Sequence, residues 1–137
     1  LADDDSHGIE ADRRDTYDGW TWVRVIDRSA DAIVEALVAG ASYASTGPEI
    51  RDIQLRRTDE EGAERTQVEA TISCSSAQRI AAVCDSYGTE YHQHSELFET
   101  ATFALRPNAR WVRFEIVGAT GLKAWSNPFD LTRIERA

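Results

Sequence analysis

Two histidine-bearing stretches carry the residue types that metal chemistry needs. Near the start, ADDDSHG places Asp5 two residues before His7, a hard carboxylate oxygen beside a neutral imidazole nitrogen. Such a pair holds a divalent cation when further ligands converge on the same point, and the cation then lowers the pKa of a bound water for attack on an ester. Taken alone, the same residues are the acidic, solvated end of a polypeptide. The second stretch is His92-Gln93-His94. In extended backbone its two imidazoles point to one side, with Glu90 or Glu96 as a third donor, whereas the flanking YGTEYHQHSE reads better as a polar turn between strands. Ser45-Thr46-Gly47 could meet a phosphate oxygen through hydroxyls or backbone N–H groups, but it reads better as a strand end before a Gly-Pro turn. Trp20 and Trp22 share one face of an extended segment and suit a ligand stack or a packed interface. Ser, His and Asp are all present, but no G-x-S-x-G elbow supports nucleophilic catalysis.

The elements that must position these residues follow from patterning. Residues 1 to 19 are polar and aperiodic and read as irregular. WTWVRVI has the aromatic and β-branched content of a strand. Ser29 can cap a helix over Ala30 to Ala39, with Asp31 favourable in its first turn and Gly40 just past its end. Ala41 to Ser45 reads as a second short strand, stopped by Gly47-Pro48. From Glu49 onward the period is two: Ile53 and Leu55, then Val68, Ala70, Ile72 and Cys74, then Val112, Phe114 and Ile116 alternate with polar neighbours. This spacing predicts strands near 49–57, 66–74, 79–85, 96–105, 111–118 and 123–131, with a hairpin turn at Ser75 to Gln78, and hence a small β-sandwich.

Composition removes several classes. The 137 residues carry a net charge of −9, which opposes binding to a phosphate backbone, so nucleic acid is not an expected partner. No apolar run approaches the roughly 18 residues of a membrane-spanning helix, and no membrane partner is expected. There is no initiator Met and no basic-then-apolar leader. Residue 1 need not be a natural start. Cys74 and Cys84 are too far apart along the predicted strands to bridge, which fits a reducing, cytoplasmic setting.

ADDDSHG, GWTWVRV, the Ser-capped helix, SYASTGPEI and WVRFEIVGATGLKAWSNPFDL, in that order, resemble the C-terminal part of bacterial PHP-type metal-dependent phosphoesterases. The D-x-H motif alone is a weak signal; together with YASTGP and AWSNP it becomes more specific. The resemblance implies an α+β, mostly β chain: a short strand-helix-strand remnant of a (β/α)₇ barrel over residues 1–48, then a small antiparallel β-sandwich over 49–137. It implies that Asp5 and His7 are the last two metal ligands, for Zn, Mn or Fe, and that the other ligands lie on barrel strands N-terminal to Leu1. Ser45 and Thr46 would border the substrate, a small phosphorylated molecule hydrolysed by the full-length protein, while this chain alone is expected to be inactive. Trp20 and Trp22 would pack on the barrel, and without it the surface of residues 20–40 would drive self-association. The alternative is a non-catalytic β-sandwich serving as a binding or assembly module.

Overall fold

The computed structural model describes residues 1–2, 18–58, 67–85, 89–107 and 109–134. Strands make up 58% of the structure and helix 11%, so the protein is mostly β. In chain order the elements are β1 (Trp20–Val23), α1 (Ala30–Val38), β2 (Ser42–Ser45), β3 (Ile50–Arg57), β4 (Val68–Cys84), β5 (Thr89–Ala104), β6 (Trp111–Gly118), β7 (Lys123–Ser126) and β8 (Phe129–Asp130), with a 3-10 turn at Leu131–Arg133. All eight strands belong to one antiparallel sheet of order β1-β2-β7-β6-β4-β3, with β5 on β4 and β8 on β6.

The centre of this sheet is β4. Its first half pairs with β3 and with the later part of β5, from Glu69↔Ala104 to Ser73↔Thr100. Its second half pairs with the early part of β5 and with β6, from Arg79↔Val117 to Cys84↔Val112. The predicted hairpin at Ser75 to Gln78 is therefore not a turn. Register shifts between Ser73 and Ala77 and between Ala77 and Arg79 carry one strand through that polar run. Each irregularity switches the inward phase, from Val68, Ala70, Ile72 and Cys74 to Ala77, then to Ile80 and Ala82, all buried. The extra residues of a bulge bend and twist a strand. Both halves of β4 consequently face one apolar cluster, joined by Ala101 and Phe103 of β5 and by Val112, Phe114 and Ile116 of β6.

The expected barrel remnant is absent from the described residues. Strands of a (β/α) barrel run parallel, but β1 and β2 are antiparallel neighbours in the register Trp20↔Ser45 to Val23↔Ser42. The reason lies at the end of α1. The helix starts where Ser29 Oγ accepts from the Ala32 N–H at 3.2 Å, as its capping residue predicts. It ends at Gly40, whose φ of 73° turns the chain back in a conformation a side chain would resist. Ala41 N–H then donates to the Ala36 carbonyl and Arg24 N–H to the Ala41 carbonyl. The chain returns beside β1 in the opposite sense, and β2 goes on to pair with β7. Only Ala36 of α1 is buried. No helix among the described residues is long and apolar enough to cross a membrane.

Candidate functional site

The two segments most characteristic of the resemblance, SYASTGPEI and AWSNPFDL, lie side by side. Tyr43 pairs with Ser126, Ala44 with Trp125 and Ser45 with Ala124. Asn127 clasps them: its Nδ2 donates to the carbonyls of Gly40 and Ser42, both at 3.0 Å, and lies 3.1 Å from Ser42 Oγ. Ser126 Oγ accepts from the Phe114 N–H at 2.9 Å and donates to the Asn127 carbonyl, tying the clasp to the core strand β6.

Ser45 and Thr46 sit at the end of β2. The Ser45 hydroxyl is fully buried, donates to the Pro48 carbonyl at 2.7 Å and accepts from the Gly47 N–H at 2.9 Å. It holds the Gly-Pro turn closed from inside. Thr46 Oγ1 accepts from the Lys123 N–H at 2.9 Å and lies 3.2 Å from the Lys123 carbonyl. A Cβ built on Gly118 would stand 3.0 Å from Pro48 Cγ, so that turn packs directly on the β6–β7 corner.

Asp5 and His7 lie outside the described residues. Both flanks of their segment, however, meet at one cleft of about 580 Å³, lined by Leu1, Ala2, Asp18 and Gly19 together with Thr46, Arg113 and Trp125. Ala2 is anchored there, its N–H donating to Thr21 Oγ1 at 2.9 Å. Across the sheet face, the Arg113 guanidinium is paired with Glu115 at 2.7 Å, both side chains about one third exposed. The cleft thus combines an indole, a guanidinium and a threonine on one rim with the ends of the Asp5–His7 segment on the other. A carboxylate and an imidazole from that segment are donors of the type Zn, Mn or Fe accept, and two such donors leave a coordination sphere open.

His92 and His94 belong to β5, inside a strand and not in a turn. Their rings do share a side, with centroids 6.4 Å apart. Each leans on a phenylalanine, His92 on Phe103 at 4.8 Å and His94 on Phe98 at 4.7 Å, and His92 Nε2 is 3.1 Å from the Thr102 carbonyl. No group of three or more His, Cys, Asp or Glu residues able to hold a metal occurs among the described residues. The cysteines are free, Cys74 buried and Cys84 half-buried. Both lie on β4, and burial pushes the Cys74 thiol up to about 11 and the Cys84 thiol upward as well.

A second cleft, of about 790 Å³, went unseen in the sequence. It opens between the β1–β2 edge and β3, lined by Trp22, Arg24, Tyr43, Arg51 and Phe129 among others. Trp22 and Tyr43 face each other across the β1–β2 ladder with centroids 6.2 Å apart and planes 22° from parallel. Burial raises the pKa of the Tyr43 phenol, while Arg51 is held by Glu99 at 2.8 Å. Its advance signal was the alternation that puts Trp20 and Trp22 on one face; that Tyr43 joins them follows from the β1–β2 register.

Comparison with protein-family models, with curated proteins and with solved structures finds no match for this chain.

Proposed function

We propose that the chain is the C-terminal, mostly β portion of a metal-dependent phosphoesterase of PHP type and is not itself a complete catalyst. The observation that carries this reading is the return of both ends of the Asp5–His7 segment, at Ala2 and Asp18, to one cleft built on the SYAST and KAWSN strands. In this reading Asp5 and His7 are two ligands of a metal cluster completed by residues N-terminal to Leu1. When bound, the cations supply Lewis acidity and an activated water for attack on a phosphate ester. Within this chain, Thr46 and Arg113 line the side on which the anionic substrate would lie, and Ser45 acts through the turn it closes. The two unbridged thiols support a reducing, cytoplasmic location.

The test is hydrolysis of bis(p-nitrophenyl) phosphate with added Mn²⁺ or Zn²⁺, by this chain alone and by the chain joined to its natural upstream sequence. Turnover is expected only from the longer protein and is abolished by Asp5→Ala or His7→Ala. A longer protein that neither hydrolyses the ester nor retains metal on dialysis, or whose turnover survives both substitutions, overturns the reading.

A second reading, a non-catalytic binding or assembly module, is favoured by a separate observation. Of the nine large hydrophobic residues left exposed among the described residues, Trp20, Trp22, Ile26, Ile33, Val34 and Val38 fall within β1, α1 and their connection. A cluster of that kind marks an interaction surface.

A further inference from the structure

The larger cleft is walled on one side by β1 and β2 and on the other by the start of β3. Trp22 and Tyr43, opposite each other in the β1–β2 register, stand on one face and line it together with Ile50, Ile53 and Phe129. Trp22 is 43% exposed, so part of its indole is open to solvent. On the other face of β1, Thr21 receives the Ala2 N–H, which keeps that end of the chain away from Trp22. The polar groups of the two walls carry opposite signs. Arg24, just past β1, is fixed by its N–H bond to the Ala41 carbonyl at 2.9 Å. Its exposed guanidinium has no ion-pair partner among the described residues. Glu49, just before β3, is fixed by its N–H bond to Ser75 Oγ at 3.0 Å, and its exposed carboxylate likewise has no ion-pair partner among the described residues. Asp52 accepts from the uncharged Gln54 side chain at 2.7 Å. Arg51 on the same wall is matched by Glu99 at 2.8 Å, so Glu49 and Asp52 leave that wall net negative.

We infer that this cleft binds a small zwitterion with a flat apolar body, the chemistry of an aromatic amino acid. Its volume of about 790 Å³ falls among those of small-molecule sites. The occupant is identified by charge complementarity. Arg24 and Glu49 face one cleft without pairing with each other, so a ligand carrying both charges completes two ion pairs at once. The Arg24 fork offers parallel N–H donors to a carboxylate. An ammonium goes to Glu49 and Asp52, beside aromatic rings that themselves attract a cation. Between the charged ends, a flat ring packs on Trp22 and the apolar floor of Ile50, Ile53 and Phe129. A simple amine leaves Arg24 unanswered, a simple acid leaves Glu49 and Asp52, and a neutral sugar leaves both walls. The cleft is open and its ion pairs are exposed, so a dissociation constant on the order of a millimolar is expected. This inference is independent of the phosphoesterase reading.

The test is an NMR titration of the full 137-residue chain with L-phenylalanine, 2-phenylethylamine and 3-phenylpropionate, which carry both charges, the cation alone and the anion alone. Phenylalanine is expected to shift the amides of Arg24, Tyr43 and Ile50 and to bind about threefold or more tighter than either other probe. Arg24→Gln should lower phenylalanine to the affinity of the amine while leaving the amine within about twofold of its wild-type value. Glu49→Gln with Asp52→Asn should lower phenylalanine to the affinity of the acid and leave the acid within about twofold. All three side chains are exposed, and the amide spectrum itself shows that each variant is folded. Absence of shifts at these residues at about 20 mM phenylalanine overturns the inference. So does an amine that binds the wild type as tightly as phenylalanine, or a phenylalanine affinity that ignores Arg24→Gln. Maltose shifting the same amides where phenylalanine does not would also overturn it, in favour of a sugar site.

Discussion

Ser45→Ala tests whether the YASTGP motif acts structurally from inside the fold. The substitution removes one oxygen from a site that is fully buried. It deletes a 2.7 Å bond to the Pro48 carbonyl and a 2.9 Å bond from the Gly47 N–H. Water cannot replace either bond without entering the corner where Pro48 packs on Gly118. Each backbone group left unpaired costs about 1 kcal/mol or more, and relief from burying the hydroxyl returns part of that, for a net loss of about 2 kcal/mol. For a chain of this length that corresponds to a drop of roughly 6–10 °C in Tm. Urea denaturation followed by tryptophan fluorescence reads it as a lower midpoint with an unchanged slope. Thr46→Ala is the internal comparison: its hydroxyl bonds are exposed, so its loss should stay below about 1 kcal/mol. A Ser45→Ala change within about 0.5 kcal/mol of wild type, or one no larger than that of Thr46→Ala, would refute the structural account of the motif.

The thiols and one ion pair give two further expectations. At pH 8 the Cys74 thiol, pushed up to about 11 by burial, is ionised in only about one molecule in a thousand; a disulfide reagent should therefore label the half-buried Cys84 first and reach Cys74 only as the protein unfolds, and equal rates in the native state would contradict the burial. Asp85 accepts from both the side chain and the backbone N–H of Arg110, bonds that hold its carboxyl below the usual range. A depressed carboxyl adds stability that is complete above its unfolded value near 4 and is lost as pH falls through the folded value. Asp85→Asn should accordingly flatten the acid limb of the stability profile below about pH 4 while leaving its slope near neutrality unchanged; an unaltered acid limb would show that the pair contributes nothing.

Local chemistry was readable wherever one residue type decides the backbone. Ser29 and Gly40 bound α1 as their types predict, and the alternation in WVRFEIV appears directly as the inward Val112, Phe114 and Ile116 of β6. The bend in β4 was not readable, because SSAQ supplies the same polar residues to a bulge as to a turn. What distinguishes them is non-local: Ser75 Oγ accepts from the Glu49 N–H and Ser76 Oγ donates to Glu99. Likewise YHQHSE has the polarity of a turn, and it is extended because Tyr91, His92 and Gln93 pair with Ala81, Ile80 and Arg79. Strand-helix-strand fitted both parallel and antiparallel closure; the antiparallel return begins at Gly40 and is held by Asn127, 87 residues further on. For the candidate site, the sequence supplied the motifs, while their adjacency required the β2–β7 pairing.

The unbroken course of β4 also bears on how the larger cleft meets a ligand. One wall of that cleft is set by β1 and β2, which reach β4 through β7 and β6; the other is β3, hydrogen-bonded to the same strand. Jaws that close on a ligand need a hinge, a few residues free to absorb a backbone rotation. Here the bulge of β4 at Ser73 to Arg79 is fastened by Ser75, Ser76 and the paired Ala77, and β3 carries an irregularity of its own between Ile50 and Asp52, at the cleft wall. Closing the two walls by bending β4 would therefore break the bonds between Ser75 and Glu49 and between Ser76 and Glu99, so that this strand acts as a brace between them.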